Sequence, residues 1–260
     1  MKRFRWLSLL MMAVCLSPAF AAPMVHGPGL HETPLMLDDV SEPWGLMEVY
    51  NTKGELIGFD VDIARALCDQ MKADCEIVSQ DWDGIIPGLL AKKYDAIIAS
   101  MSITDERKRK VAFSDPYYSN YLRFIAPKNS GLTVSADGLK GKRLGAQRAT
   151  ISAQHLEDNF RKTASVKVYD TQEAAFLDLK AGRLDAVLAD AYPGYDWLTK
   201  PENSDYDHVG DTIDINDKIG IAMRKEDKAL ADRFNQALKE LRENGGYQRI
   251  NANYFPFSIY

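Results

Sequence analysis

One pattern occurs twice along this chain. Leu90–Ser100 reads LAKKYDAIIAS, and Leu179–Asp190 reads LKAGRLDAVLAD. Asp95-Ala96-Ile97-Ile98-Ala99 matches Asp185-Ala186-Val187-Leu188-Ala189. Apolar residues at helical spacing precede each copy: Ile85, Ile86, Leu89 and Leu90 in one, Ala174, Ala175, Phe176 and Leu179 in the other. A helix, a short basic or glycine-containing turn and a buried strand are the grammar of an α/β sheet. Gly182 suits the stop of the second helix. Two such units in 260 residues fit two similar lobes. Ligands of open α/β sheets lie beyond the carboxyl ends of the strands. Ser100 and Ser102 follow the first strand and Asp190 ends the second, so hydroxyls and a carboxylate would face one cleft. The same residue types also suit loop and turn caps, and spacing does not choose between the two roles.

The remaining pattern fills in the lobes. PLMLDDV reads as a first strand, and Val61, Ala64, Leu67 and Met71 share one face of a helix from about Asp60 to Met71. Strands are expected near 75–79, 95–99, 122–127, 143–146, 166–169, 184–189 and 219–223. Leu230, Phe234, Leu238 and Leu241 mark an amphipathic helix over Asp227–Glu243, closed by Asn244-Gly245-Gly246. The segments near 118–122 and 212–219 are expected to cross between the lobes.

The N-terminus follows a different logic. Lys2, Arg3 and Arg5 precede the apolar run Trp6–Leu16, then Ser17-Pro18 and Ala19-Phe20-Ala21, a small-x-small cleavage pattern. Residues 1–21 therefore read as an export signal. Its removal takes Cys15 and leaves Cys68 and Cys75, and an even pair in an exported chain points to a disulfide. The formal net charge of -5 argues against electrostatic nucleic-acid binding. No later stretch is apolar enough to span a membrane as a helix.

Catalytic signatures are sparse. His26, His31, His155 and His208 stand in no nucleophile–base motif, and GxSxG, HExxH and glycine-rich phosphate loops are absent from the sequence. No metal or cofactor is implied. The segment SMSITDERKRKVAFSDPYY says more. Ser102-Ile103-Thr104-Asp105 reads as a capped helix entry, and Arg107 follows within the first turn, beside the serine loop. A guanidinium grips a carboxylate through two parallel hydrogen bonds, and Asp190 can accept from an ammonium. Together they suit the two charged ends of an amino acid. Lys108, Arg109 and Lys110 read as a solvated face.

These residues, with GELIGFDVDIARALC, DWDGIIPGLLAKKYDAIIAS and LRENGGYQRINANYF, resemble the periplasmic solute-binding proteins of polar amino-acid ABC transporters. The likeness is to the lysine/arginine/ornithine and histidine binders and their opine-binding relatives, and it covers nearly all of the chain after the signal. It implies the type II periplasmic binding protein fold: two α/β lobes joined by a two-strand hinge and closing on the ligand. Residues 22–119 and 218–260 would form lobe 1, and 120–217 lobe 2. By resemblance, Arg107 binds the ligand α-carboxylate and Asp190 the α-ammonium. Ser100, Ser102 and Thr150 supply further hydrogen bonds, Trp82 and Trp44 form aromatic walls, and Cys68–Cys75 matches a disulfide. The implied function is a non-enzymatic, monomeric periplasmic receptor that delivers an amino acid to the membrane permease of an ABC importer.

Two segments depart from that pattern. Ser41 stands where an acidic residue is usual, with Asp39 and Glu42 nearby, and the usual GTT-like turn reads Arg148-Ala149-Thr150-Ile151. Arginine, lysine, ornithine, histidine, an opine and glutamine therefore remain open as ligands. An enzyme on the same fold, such as a cyclohexadienyl dehydratase, is the alternative, with Asp39 or Glu42 as its general acid.

Overall fold

The computed structural model describes residues 35–38, 47, 49–50 and 53–260. The chain opens with β1 (Leu35–Asp38), β2 (Val49–Tyr50) and β3 (Leu56–Ile57), followed by α1 (Phe59–Met71) and β4 (Ile77–Gln80). Next come α2 (Trp82–Leu90), β5 (Ala96–Ile97), α3 (Asp105–Lys110) and β6 (Ala112–Phe113). The middle holds β7 (Tyr118–Pro127), β8 (Arg143–Gln147), α4 (Ile151–Phe160), β9 (Ser165–Tyr169), α5 (Gln172–Lys180), β10 (Ala186–Asp190) and α6 (Ala191–Thr199). After a 3-10 turn at Pro201–Asn203, the chain closes with β11 (Tyr206–Ile219), β12 (Ala222–Met223), α7 (Lys228–Glu243) and α8 (Gly246–Tyr254).

The repeated unit seeds two sheets. In the first, of order β4-β1-β5-β12-β6, β1 runs parallel to β4 and β5 while β12 runs antiparallel to β5 and β6. In the second, of order β11-β7-β10-β8-β9, β8 lies parallel to β9 and β10, and β7 lies antiparallel to β10 and β11. The strands of the repeat, β5 and β10, are thus interior in both sheets. Their continuous apolar character follows from that placement, because strands covered on both faces cannot alternate with polar residues.

Each sheet carries its own apolar core. In the first lobe Phe59, Ile63 and Leu67 of α1 meet Phe234, Leu238 and Leu241 of α7. Val61, Ala64 and Leu67 are fully buried, as the helical spacing requires, and Met71 packs at the edge of the cluster. Gly58 caps the start of α1 with φ 134, a backbone shape that other residues rarely adopt. In the second lobe Leu122, Phe124, Leu144, Leu156 and Leu188 form one cluster. On the sheet's other side, the Phe176 ring stacks on Trp197 with centroids 4.3 Å apart.

The crossings expected near 118–122 and 212–219 are parts of two long strands. β7 and β11 pair from Tyr118↔Ile219 to Pro127↔Tyr206, with register shifts either side of Ile213. At the other end they join the first sheet's surroundings. Ile103 N–H donates to the Lys218 carbonyl at 2.8 Å, and Tyr117 N–H to that of Ile219 at 2.9 Å. Some expected bounds shift. The strand expected over 219–223 is two, interrupted at Gly220, where a side chain would meet Ile103 Cδ1 at 2.7 Å. The strand expected over 95–99 shortens to Ala96–Ile97, because the chain turns at Ser100 with φ 49. Asp227 is the N-cap of α7 rather than its first helical residue.

Cys68, in the last turn of α1, is disulfide-bonded to Cys75, with Cα atoms 6.2 Å apart. The bond ties the end of α1 to the approach of β4. Replacing both cysteines with serine should lower stability by about 2 kcal/mol, the size expected for so short a loop. Urea denaturation of parent and double variant measures this, and equal midpoints and slopes would show that the crosslink contributes nothing.

Candidate functional site

The serine loop after β5 is held from behind. Asp60 is fully buried in the first turn of α1. One of its oxygens accepts from both the N–H and the hydroxyl of Ser100, each at 2.8 Å. The other accepts from the Tyr117 hydroxyl at 2.7 Å. Burial pushes the Asp60 carboxyl up to about 6, against the opposing pull of the Tyr117 and Ser100 hydrogen bonds. This bonding fixes Ser100 in a left-handed conformation uncommon outside glycine. It also commits both the N–H and the hydroxyl of that serine to Asp60.

Ser102 links the loop to the long strands. Its hydroxyl donates to Asp217 Oδ2 at 3.2 Å, and the same oxygen accepts from Asn120 Nδ2 at 2.8 Å. Asp217 lies on β11 and Asn120 on β7. The Ser102 carbonyl accepts from Arg107 Nη1 at 3.0 Å.

Arg107 is placed by its helix start. Thr104 caps α3 by accepting from the Arg107 N–H at 3.1 Å, which aims the side chain back along the serine loop. Nη2 donates to the Ala149 carbonyl of the second lobe at 3.1 Å, and the guanidinium lies 5.3 Å from the Trp82 ring centroid. Trp82 Nε1 donates to that same carbonyl at 3.3 Å. Burial lowers the guanidinium's proton affinity, while Asp190 and Asp217 oppose the effect.

On the second lobe, Thr150 caps α4. Its hydroxyl accepts from Ala153 N–H at 3.2 Å and donates to the Gln147 carbonyl at 2.7 Å, so the hydroxyl is spent locally. Asp190 behaves differently. It occupies the N-cap position of α6 yet makes no side-chain bond to that helix. Its carboxylate instead accepts from the Ser152 hydroxyl at 3.3 Å and is hydrogen-bonded by Asn120. Although it stands at the N-cap position, Asp190 therefore does no helix capping. Burial first, and the nearby Asp217 carboxylate second, push Asp190 up to about 7 despite Asn120, Arg107 and Ser152.

A cleft of about 720 Å³ opens beside these groups, lined among others by Trp82, Met101, Thr104, Arg107, Thr150 and Gln154. That volume suits a small metabolite. The structure thus brings Trp82, Arg107 and Thr150 to one cleft, with Ser102 bonded to Arg107, while Ser100, Ser102 and Asp190 are not among its lining residues. Asp190 reaches the same charged cluster through Asn120 and Asp217. Trp44 lies outside the described residues, as do Asp39, Ser41 and Glu42. Among the described residues no cluster of three or more His, Cys, Asp or Glu could hold a metal ion.

Sequence reading missed three members. Asp60 reads as a first-turn helix acid, and only its place opposite the serine loop reveals its task. Asn120 and Asp217 sit on the crossing strands, where the charged run Asp211–Lys218 looks like a solvated edge.

The family model for bacterial extracellular solute-binding proteins, family 3, matches residues 39–257. The chain belongs to that family. This solute-binding protein is 38% identical to an L-arginine-binding protein of Pseudomonas aeruginosa PAO1, covering 100% of this chain and 99% of the relative. It is 38% identical to the lysine/arginine/ornithine-binding periplasmic protein of Escherichia coli K12 over 81% of this chain and 83% of the relative. Its fold matches an ancestral arginine-binding protein solved bound to arginine, with TM-score 0.81 and 33% identity, covering 87% of this chain and 100% of that one. An ancestral arginine-binding protein solved bound to glutamine matches at TM-score 0.81 and 33% identity, covering 88% of this chain and 100% of that one.

Asp60→Ala would remove the acceptor of three donors, the part-buried Ser100 N–H and hydroxyl and the buried Tyr117 hydroxyl. The expected cost is about 2–4 kcal/mol, and Tyr117→Phe should cost about 1 kcal/mol. Chemical denaturation tests both, and an Asp60→Ala protein as stable as its parent would remove Asp60 from this role.

Proposed function

We propose that this solute-binding protein is a monomeric periplasmic receptor that captures a polar L-amino acid, with cationic side chains favoured, and passes it to the permease of an ABC importer. In this reading residues 1–21 are the cleaved export signal, residues 22–119 with 218–260 form lobe 1, and 120–217 form lobe 2. The reading rests on one observation above the others. A guanidinium on the first lobe and a carboxylate on the second, free of any helix-capping bond, share one charged cluster. Arginine–carboxylate and ammonium–aspartate pairs are the strong, charge-assisted kind of hydrogen bond.

Arg107 grips the α-carboxylate, assisted by the Thr150 N–H at the start of α4, where the helix dipole favours an anion. Asp190 receives the α-ammonium, and the Ser100 carbonyl accepts a further bond from it. Trp82 forms one wall of the side-chain pocket and Trp44 the other. A cationic side chain between them gains roughly 0.5–2 kcal/mol from each ring. Only a ligand touching both lobes gains from closure, so closing follows from differential contact. The cation preference is supported by the names of the relatives, since the arginine and lysine binders lie in the same family.

Calorimetry against arginine, lysine, ornithine, histidine and glutamine tests the proposal. At least one should bind, and Arg107→Ala should abolish that binding in a folded protein, because a buried charged partner is worth roughly 3–5 kcal/mol. No binding to any amino acid, with prephenate or arogenate turned over to an aromatic product, would replace the receptor reading with the dehydratase one.

The pH dependence has a definite sign. Asp190 attracts an ammonium only when ionised, and its carboxyl titrates at about 7. Affinity should be full above pH 7 and fall as pH drops through 7, approaching about tenfold per unit below it. Asp190→Asn should bind weakly and lose the fall centred on pH 7 that the parent shows between pH 5.5 and 8. A parent profile that is flat over that range would show that Asp190 does not carry the ammonium.

A further inference from the structure

The turn that departs from the family's usual pattern is also where the lobes touch. Arg148 follows β8, and its N–H donates to the Tyr169 carbonyl at 2.7 Å, so its backbone continues the β8–β9 pairing. Its side chain leaves the lobe. Nη2 lies 2.6 Å and Nε 2.9 Å from Oδ2 of Asp83, the second residue of α2 in the first lobe. Nη2 also lies 2.6 Å from Asp170 Oδ1, immediately after β9 in its own lobe. Asp170 thus steadies the guanidinium, and Asp83 is its cross-cleft catch. The next residue, Ala149, has φ 59 and turns its carbonyl toward Trp82 Nε1 and Arg107 Nη2.

We propose that Arg148 and Asp83 form a latch across the cleft, a pair of positioning residues that slows amino-acid release by holding the Arg148–Thr150 turn against Trp82 and Arg107. The proposal rests on the receptor reading for what is released, but not for the contact itself. Arg148 is not among the residues lining the cleft, so it acts through the turn rather than on bound solute. Asp83 does line the cleft, and with Arg148 beside it its charge is already matched.

The side chains are 48% and 45% exposed, which sets the scale of the effect. Exposed ion pairs of this kind change an equilibrium by about two- to fivefold, and salt screens them. The latch forms only as the lobes meet, so it belongs to the dissociation rate and not to encounter.

The decisive variant is Arg148→Gln, with the exchange Asp83→Arg/Arg148→Asp as the rescue. Stopped-flow tryptophan fluorescence with L-arginine and L-glutamine gives the rates, at 20 mM and 500 mM NaCl. Arg148→Gln should release both amino acids about two- to fivefold faster at low salt, with the difference gone at high salt. The exchange should restore at least part of the slow release. Solution scattering of the protein without added amino acid reads the contact directly. At low salt the parent should have the smaller radius of gyration, and at high salt the two should converge. Should neither amino acid bind the parent, the receptor reading fails and the scattering comparison alone decides the latch. Equal radii at both salts, with equal release rates wherever binding is seen, overturn the latch. So does tighter binding of L-arginine alone in Arg148→Gln, which would mean that Arg148 competes with a cationic solute for Asp83.

Discussion

The guanidinium of Arg107 is the pivot of this structure. It bonds the Ser102 carbonyl on one lobe and the Ala149 carbonyl on the other, with Trp82 against it. A positive charge at such a seam needs negative charge nearby, and Asp190 and Asp217 supply it. Two carboxylates and one guanidinium leave the cluster short of a cation, so an incoming ammonium completes it. Under the proposed reading, the ammonium of an amino acid meets that demand at Asp190 while its carboxylate pairs with Arg107, and charge pairing is strong in a poorly solvated cleft.

The two lobes meet that requirement with the same local construction. In each, a helix delivers the chain to an interior strand, and polar groups stand at or just beyond the strand's carboxyl end. The ends differ in chemistry. β5 hands over to a serine loop pinned by a buried aspartate, whereas β10 ends on Asp190 itself. The long pair β7–β11 connects these ends, and its Asn120 and Asp217 bond directly to them. A change in lobe angle along those strands therefore alters the charged cluster.

Much of this was legible in the sequence because it is local. The repeat, the amphipathic faces of α1 and α7, the cysteine pair and the helix start at Thr104 all depend on residues near one another. Arg107 and Asp190 stand out in the sequence because their types match the two ends of an amino acid, and the structure places them in one charged cluster. Asp60, Asn120 and Asp217 were not, since each works on a partner 40 or more positions away. Ser100 and Thr150 were identified as polar cleft residues, but their hydroxyls are taken by Asp60 and by the start of α4. Hydroxyls are readily claimed by nearby backbone or carboxylates, and pattern alone does not show which partner wins.

The clamp is tested most directly by removing one charged end of the solute at a time. Calorimetry would compare L-arginine with agmatine, which lacks the α-carboxylate, and with 5-guanidinovaleric acid, which lacks the α-ammonium. If Arg107 and Asp190 divide the zwitterion between the lobes, L-arginine binds and each analogue loses at least a hundredfold, about 2.7 kcal/mol. Agmatine or 5-guanidinovaleric acid binding as tightly as L-arginine would contradict it.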